Sequence, residues 1–395
     1  MKTVWATILI AAAGAIFLVW MSAVGRLDPA DLKVYFGAAG AWLSGEPFYG
    51  VPYGLSSGYF KYAPATLFAF APMQAFGWTA SLWLQALLTL TVLAIGLPSA
   101  LVWTQRLWGV QARTGQVSIA ALLLLLVFIA PHAVRELMLG NVNIMALAAA
   151  SVLAASLSSE RIGPVLAGLL MAAVLCFKPH FMVLPVLWLW QGRWRAAAAT
   201  IAGLAVFLLL PQLLIDHPDF ATQRWVEAMT AHNAGGAALN NTVQGLLMSA
   251  FGWSVRPAML ASWGTLAIVG AIWLGRPFQK KVNPRREMTQ WAVAFALIPN
   301  LLATDSEHFI FAAPLLMVIF SKLTAPSASE IPRSARWAII AALAFAWIPF
   351  ATASPDLWTA DTAAWLERGG ALGAANLVLL AVGIYFIPRW DLIAS

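Results

Sequence analysis

Residues 4–24 read VWATILIAAAGAIFLVWMSAV, a run that contains no charged side chain. A helix rises 1.5 Å per residue, so about 20 apolar residues cross a hydrocarbon core of about 30 Å. A signal peptide is the rival interpretation, because Ser22-Ala23-Val24-Gly25 is small enough to be cleaved. The apolar region of a signal peptide has about 7–15 residues, which is shorter than this run. The run therefore predicts an uncleaved membrane span.

Apolar runs of this kind recur along the whole chain. Of its 395 residues, 61% are hydrophobic and 10% are charged, whereas soluble chains have about 45–50% and about 25%. That composition excludes a soluble enzyme and a disordered chain, and the single cysteine, Cys176, excludes a disulfide scaffold. We expect an all-α, polytopic transmembrane helical bundle that forms a single integral membrane domain over residues 1–395.

The charged residues lie almost entirely between the apolar runs, and they predict a topology. After 4–24, the runs are about 62–102, 117–131, 141–157, 164–177, 180–191, 197–215, 257–275, 289–304, 308–321, 337–352 and 371–387. With the amino terminus inside and one crossing by 62–102, 15 of the 23 basic residues lie inside and 12 of the 16 acids lie outside. This bias follows the positive-inside rule and predicts about 12 crossings. Two crossings by 62–102, on either side of a break at Gly77-Trp78-Thr79, are the alternative.

Two gaps between the runs are long, and this topology places both outside. The first outer loop covers about 25–61 and the second covers about 216–256. The basic residues are scattered rather than gathered on one stripe, so membrane lipids are expected partners and nucleic acid is not.

The first outer loop begins with a helix signal, Asp28-Pro29-Ala30-Asp31, in which Asp28 is the expected cap and Pro29 the first helical residue. An amphipathic helix in the membrane interface is then predicted, because one helical face is apolar. That face contains Leu32, Tyr35, Phe36, Ala39 and Leu43.

Asp31 has two interpretations at this stage. As a structural residue, its carboxylate stabilises the exposed amides of the first helical turn. As a functional residue, it takes a proton from an acceptor hydroxyl at the membrane surface. Five of the six tyrosines share this loop and form either an aromatic interface belt or substrate contacts. They are Tyr35, Tyr49, Tyr53, Tyr59 and Tyr62.

Further polar residues recur at the predicted outer ends of spans, where burial is costly and usually has a reason. They are His132, Arg135, Asn141, Asn143, Lys178, His180, Asp305, Glu307 and His308. A site for a phosphate-bearing lipid needs such cations near the leaving group. The three histidines lack the i, i+4 spacing of a helical zinc site, so no metal is expected.

Several of these residues lie in motifs that follow one another along the chain. DLKVYFGAAGAWLSGEPFY (31–49) and FKYAPATLFAFAPM (60–73) contain an Asp with a Tyr four residues later, a Gly-x-Pro-x-Tyr and a Tyr-x-Pro. Later motifs are Gly140-Asn141-Val142-Asn143, Phe177-Lys178-Pro179, the basic turn QGRWR (191–195) and Asn240-Asn241-Thr242. In this order, over about residues 25–320, they resemble glycosyltransferase family 87. The chain departs from that family's pattern at two places. The family has Gln where this chain has Asn141, and it has Ser-Pro-x-Ser-Trp before the late histidine, where this chain has Thr304-Asp305-Ser306-Glu307 before His308.

The resemblance implies a polytopic GT-C enzyme that uses a polyprenyl-phosphate sugar, similar to the mycobacterial mannosyltransferases of phosphatidylinositol mannoside synthesis. Asp31 would be the base of an inverting transfer of a hexose such as mannose, or of a pentose, to a cell-envelope lipid or glycan. Lys178, His308 and Arg135 would bind the donor phosphate. Tyr35, Tyr62, Asn141, Asn143 and Asn241 would bind substrate. The implied enzyme lies in the cell inner membrane with its active site facing the periplasm or exterior, and it needs no cofactor or metal.

Three other functions stay open on the sequence alone. A lipid or sugar transporter or flippase predicts inverted repeats and charges near the bilayer midplane, whereas the polar residues here cluster at outer ends. A non-catalytic subunit of an envelope complex would tolerate loss of Asp31. An O-antigen ligase would use a diphosphate donor, and the short second outer loop argues against it.

Overall fold

The computed structural model of the protein describes residues 2–27, 29–54, 58–108, 117–235, 241–274, 284–301, 305–325, 331–352, 359, 361–362, 365–366 and 369–393. Its α-helices are α1 (Thr3–Ala23), α2 (Ala30–Leu43), α3 (Leu67–Phe70), α4 (Pro72–Thr91), α5 (Leu97–Leu107), α6 (Ile119–Leu139), α7 (Asn143–Ser158), α8 (Pro164–Phe177), α9 (Val183–Trp190), α10 (Trp194–Leu214), α11 (Thr222–Gly235), α12 (Val243–Phe251), α13 (Val255–Leu274), α14 (Pro284–Leu301), α15 (Ala313–Leu323), α16 (Arg333–Thr352) and α17 (Ala371–Ile393). The expected all-α class is confirmed, because these residues form helices and no β-strand. An isolated bridge joins Pro52 and Tyr59.

Six segments within the described residues are long and apolar enough to cross a membrane, which supports the polytopic prediction. They are Thr3–Ala23, Pro72–Leu107, Ile119–Leu139, Trp194–Leu214, Ser306–Leu323 and Arg333–Ala351. Shorter apolar helices cover Asn143–Ser158, Pro164–Phe177, Pro179–Trp190 and Ala371–Tyr385. About 12 crossings stays a prediction.

The chain folds into two compact units. The N-terminal unit comprises Thr7–Gly96 and Val134–Gly235, and the C-terminal unit comprises Met1–Ala6, Leu97–Ala133 and Gly236–Ser395. A single domain over residues 1–395 stays a prediction.

The long apolar run 62–102 is interrupted where the sequence predicts a break. Gly77 has φ 74° and ψ 170°, so the chain kinks there within α4. A left-handed φ favours glycine because it has no Cβ. Further along, Val92–Gly96 forms one π-helical turn before α5 begins.

The helix predicted in the first outer loop is α2, and it begins one residue later than expected. Pro29 is the residue before the helix rather than its first residue, and Asp31 is the second helical residue. The expected cap, Asp28, lies outside the described residues. Leu32, Tyr35 and Ala39 are buried as predicted, but Leu43 is 56% exposed. That α2 lies in a membrane interface stays a prediction.

The tyrosines of the first outer loop do not form one interface belt. Tyr35, Tyr49 and Tyr62 are buried, whereas Tyr59 is 43% exposed. The buried tyrosines belong to an aromatic cluster that packs against α2. Its members are Tyr35, Phe48, Tyr49, Phe60, Tyr62, Phe70 and Phe220. The Tyr35 ring stacks on Phe70 at 4.6 Å between centroids, and edge-to-face pairs connect Phe48 with Phe60 and Phe220. The cluster fixes the loop on the helix that carries Asp31.

Small residues allow α8 and α10 to pack closely in the N-terminal unit. A Cβ placed at Gly168 of α8 would overlap the carbonyl oxygen of Ala196, and one placed at Gly203 of α10 would lie 2.8 Å from the Ala172 Cβ. Close backbone approach through small residues is the usual way in which membrane helices associate. This contact positions α8, which leads into Lys178.

In the C-terminal unit, two buried amides connect α14 and α17. The Asn376 side chain donates to the Ala296 carbonyl at 2.6 Å and to Asn300 Oδ1 at 2.5 Å. Asn300 in turn donates to the Gly373 carbonyl at 3.0 Å. Amide groups buried between apolar helices are stabilised by bonds of this kind.

We predict that Gly168→Ala lowers the apparent melting temperature of the purified protein in detergent. Alanine favours a helix by about 1 kcal/mol over glycine, but the added Cβ has to displace the α10 backbone, and overpacking costs about 1–3 kcal/mol. Gly264→Ala in α13 is the matched control, because a Cβ there meets nothing within 4 Å. A Gly168→Ala protein as stable as the control would contradict the close contact.

Candidate active site

The candidate site in the N-terminal unit is built around Asp31. Asn141 donates from Nδ2 to the Asp31 carboxylate at 2.6 Å, and its Oδ1 accepts the Val142 backbone N–H at 2.6 Å. The second bond fixes which side of the amide is oxygen, because only an oxygen can accept from a backbone N–H. The donating NH₂ group is therefore held toward Asp31.

Gly140 brings this asparagine to the start of α2. It follows α6 with φ 66°, and both its N–H and that of Asn141 bond to the Glu136 carbonyl. This is the usual glycine termination of a helix. A Cβ at Gly140 would lie 2.9 Å from Leu32 Cβ and 3.3 Å from Pro29 Cβ. Only glycine allows the end of α6 to approach the first turn of α2 so closely.

Two hydrogen bonds and one cation–π contact connect Asn141 with a buried cation. The Tyr35 hydroxyl is 3.5 Å from Asn141 Oδ1 and 2.7 Å from the Tyr62 hydroxyl. The Lys178 ammonium lies 5.1 Å from the centroid of the Tyr62 ring, within the range of a cation–π interaction. Five predicted site residues are thus in one network: Asp31, Tyr35, Tyr62, Asn141 and Lys178.

Lys178 is placed by the proline that follows it. α8 ends at Phe177, and Lys178 has φ −137° and ψ 88°. A residue before proline is driven out of the helical region by clash with the proline ring. Pro179 therefore ends the helix and leaves Lys178, which is 3% exposed, in the network.

Two buried residues support the Asn141 segment. Gln85 of α4 donates to the carbonyls of Gly140 and Asn141 at 3.4 and 3.2 Å. Glu136 of α6 accepts from the Asn143 side chain at 2.5 Å, and both residues are fully buried. Sequence reasoning did not select Gln85 or Glu136, although an acid within an apolar helix is itself a signal.

The electrostatics of the network keep Tyr35 neutral. Burial raises its pKa well above the ordinary value, and the nearby Tyr62 and Asp31 raise it further. The phenol is therefore a hydrogen-bond donor at any physiological pH rather than an acid–base group.

Asp219 anchors the first outer loop to the second. Its carboxylate accepts the backbone N–H groups of Phe48 and Tyr49 at 2.7 and 3.0 Å, and Arg224 Nε lies 3.3 Å away. The His217 ring stacks on Phe48 at 5.3 Å. Sequence reasoning missed Asp219, which has no motif around it.

The same carboxylate affects two tyrosines of the first loop. Burial is the larger cause and Asp219 the smaller, and together they raise the pKa of Tyr49 and bring that of Tyr53 to about 12. Both phenols stay protonated, and Tyr49 donates to the Tyr62 carbonyl at 2.5 Å.

The remaining predicted residues are Arg135, Asn143, Asn241 and His308. Arg135 is half-buried in α6, and Asn143 begins α7. His308 and Asn241 belong to the C-terminal unit, where His308 packs edge-on against Phe311 and Asn241 is buried. Their participation in one site with Asp31 stays a prediction. Asn240, the first residue of its motif, lies outside the described residues.

No group of three or more His, Cys, Asp or Glu residues in the described part of the chain is placed to hold a metal ion. Independence from metals and cofactors stays a prediction.

Comparison with known families finds the family that the motifs resemble. The model of glycosyltransferase family 87 matches residues 60–303, which is more than half of the chain. No curated protein and no solved structure matches the chain. The matched range includes Tyr62, Asn141 and Lys178, and Asp31 precedes it.

We predict that Asp219→Ala loosens the first outer loop. The substitution leaves the two buried backbone N–H groups without their acceptor, and each hydrogen bond to a charged group contributes about 1.5–3 kcal/mol. The exposed Arg224 contributes less, because it is screened by solvent and keeps its bond to Glu227. The protein should melt at a lower temperature and be cleaved faster by protease within residues 44–62. Asp216→Ala is the control, because Asp216 is exposed three residues away. Equal cleavage of the two variants would show that Asp219 is not the anchor.

Proposed function

This chain belongs to glycosyltransferase family 87, and we propose that it transfers one sugar, with inversion, from a polyprenyl-phosphate donor to a lipid or glycan of the cell envelope. Family membership makes it a membrane glycosyltransferase. The proposed sugar is a hexose such as mannose, or a pentose. The observation that carries the mechanism is the bond from Asn141 to the Asp31 carboxylate.

Asp31 is the proposed general base. The acceptor oxygen attacks the anomeric carbon while the bond from that carbon to the donor phosphate oxygen breaks. The acceptor proton passes to the Asp31 carboxylate, and polyprenyl phosphate leaves with the bonding electron pair. Because Asn141 holds one carboxylate oxygen, the side chain keeps one orientation toward the acceptor.

Lys178 is the proposed partner of the departing phosphate. The leaving group gains negative charge as the bond breaks, and a buried cation interacts with that charge more strongly than an exposed one does. We propose the same role for His308 and Arg135, which the family resemblance assigns to the donor phosphate. Tyr35, Tyr62, Asn143 and Asn241 are proposed to contact sugar or acceptor.

The proposed location is the cell inner membrane, with the site facing the periplasm or exterior. The distribution of basic residues supports this orientation, because most of them lie on the side opposite Asp31 in the predicted topology. The donor is a substrate rather than a cofactor, and no metal takes part in the proposed transfer.

We predict that Asp31→Asn lowers the rate of transfer by about 10²–10⁴, because the amide cannot accept the proton. Asparagine still offers an oxygen to the Asn141 NH₂ group, so the melting temperature should stay unchanged. The assay is release of polyprenyl phosphate from a panel of purified polyprenyl-phosphate sugars.

Glu46→Gln is the matched control, because Glu46 is an exposed acid of the same loop. Wild-type transfer by Asp31→Asn would refute the mechanism. Uptake of the sugar lipid into liposomes without any covalent product would favour a transporter instead.

We predict that Asn141→Ala slows transfer by about 10²-fold, because the carboxylate loses a hydrogen bond that orients it. Loss of a hydrogen bond to the charged form should also move the acid limb of the pH–rate profile to higher pH. A purely structural residue would lower activity without that movement. Gln74→Ala is the control, since Gln74 bonds α2 at the Phe36 carbonyl and does not contact Asp31.

A further inference from the structure

A groove of about 440 Å³ lies in the N-terminal unit, away from the candidate active site. The turn between α7 and α8 forms one side, and the turn between α9 and α10 forms the other. Its charged and aromatic lining residues are Glu160, Arg193, Trp194 and Arg195. Leu157, Ile162 and Pro164 supply apolar walls.

Helix α8 separates this groove from the catalytic network. Pro164, in the groove, is the first residue of α8, and Lys178 follows its last residue. Fourteen residues of helix span about 21 Å. The groove and Lys178 are thus at opposite ends of α8, and the sequence predicts the groove end to be the inner one.

Two arginines give the groove its chemistry. Arg193 donates from Nη1 to the Leu157 carbonyl at 2.9 Å, which holds its guanidinium against the end of α7. The Arg195 guanidinium lies 5.4 Å from the centroid of the Trp194 ring. Guanidinium groups have the donor geometry that phosphate oxygens accept. With one carboxylate, Glu160, against two guanidiniums, the lining has a net positive charge.

The backbone of Glu160 is unusual. Its φ of 55° is the only positive value among the described residues other than glycine. The Glu160 N–H bonds to the Leu157 carbonyl and the Arg161 N–H bonds to the Ser156 carbonyl, so the left-handed residue terminates α7 in the position that glycine usually occupies. The acid is therefore held at the edge of the groove by the turn itself.

We propose that this groove binds the phosphodiester headgroup of an anionic phospholipid. The surface beside it is apolar and exposed: Trp194 is 61% exposed, Leu189 52% and Ile201 61%. Acyl chains can lie on such a surface while the arginines bind the phosphate. The indole of a tryptophan is favoured at the level of the lipid headgroups. A soluble phosphate has no acyl chains, so contact with the apolar side chains would not strengthen its binding.

The two guanidiniums outnumber the one carboxylate of the lining, so its net positive charge favours a lipid with a net negative charge over a zwitterionic one, although Glu160 by itself acts in the opposite sense. An anionic headgroup such as phosphatidylglycerol brings a phosphate and no ammonium, so Glu160 opposes it. A zwitterionic headgroup such as phosphatidylcholine brings a quaternary ammonium that Glu160 attracts. Removing the Glu160 charge therefore changes the two affinities in opposite directions.

The test is native mass spectrometry of the full chain, delipidated in neutral detergent and titrated with phosphatidylglycerol or phosphatidylcholine. We expect one tightly bound phosphatidylglycerol, at least tenfold weaker binding by Arg195→Gln, and tighter binding by Glu160→Gln. Arg161→Gln is the matched control, because Arg161 is an exposed arginine of the same turn that does not line the groove. Its affinity should stay within twofold of wild type.

Four results would overturn the proposal. If phosphatidylcholine bound as tightly as phosphatidylglycerol, or if Arg161→Gln weakened phosphatidylglycerol binding as much as Arg195→Gln, the lipid would be attracted only by the general charge of the protein surface. Displacement of the lipid by millimolar inorganic phosphate would identify a free-phosphate site. Weaker phosphatidylglycerol binding by Glu160→Gln would contradict the charge argument. The measurement uses no sugar donor, so its outcome is independent of the proposed transferase function.

Discussion

The hydrogen bond from Asn141 to Asp31 joins parts of the chain that are 110 residues apart, and the rest of the candidate site depends on it. It forms because Gly140 turns the chain sharply after α6 and has no side chain to keep α2 away. The adjacent Val142 N–H then sets the direction of the amide. A local backbone requirement at one glycine thus determines which way a distant carboxylate faces.

Much of the fold follows from local properties of the sequence. The apolar runs predict the helices because in lipid every backbone N–H and carbonyl has to be bonded within the segment. The break at Gly77 follows from the conformational freedom of glycine. The burial of Tyr35, Tyr49 and Tyr62 does not follow from local properties. An aromatic residue fits an interface belt and a packed core equally well, and only packing against Phe60, Phe70 and Phe177 decides between them.

The candidate site also contains some residues that the sequence could indicate and others that it could not. Asp31 and Lys178 could be selected because a charged residue next to an apolar run is costly, and because the order of motifs resembles a family. Asp219 could not be selected from the sequence. Its partners are backbone N–H groups some 170 residues earlier, and every residue except proline has such a group. Glu136 could be noticed in the sequence as an acid within an apolar helix, but the sequence does not indicate that its partner is Asn143. Long-range hydrogen bonds to the backbone leave no pattern of residue types.

The short length of α8 has a consequence for the bilayer itself. As a membrane crossing, a helix of about 21 Å reaches across only about two thirds of a typical hydrocarbon core. Lipid beside such a helix has to thin, or the end that carries Lys178 stays below the level of the headgroups. Either adjustment accommodates the hydrophobic mismatch between the short helix and the bilayer at a modest cost in free energy. The thickness of the surrounding membrane would then help to decide which lipids approach this end of the protein.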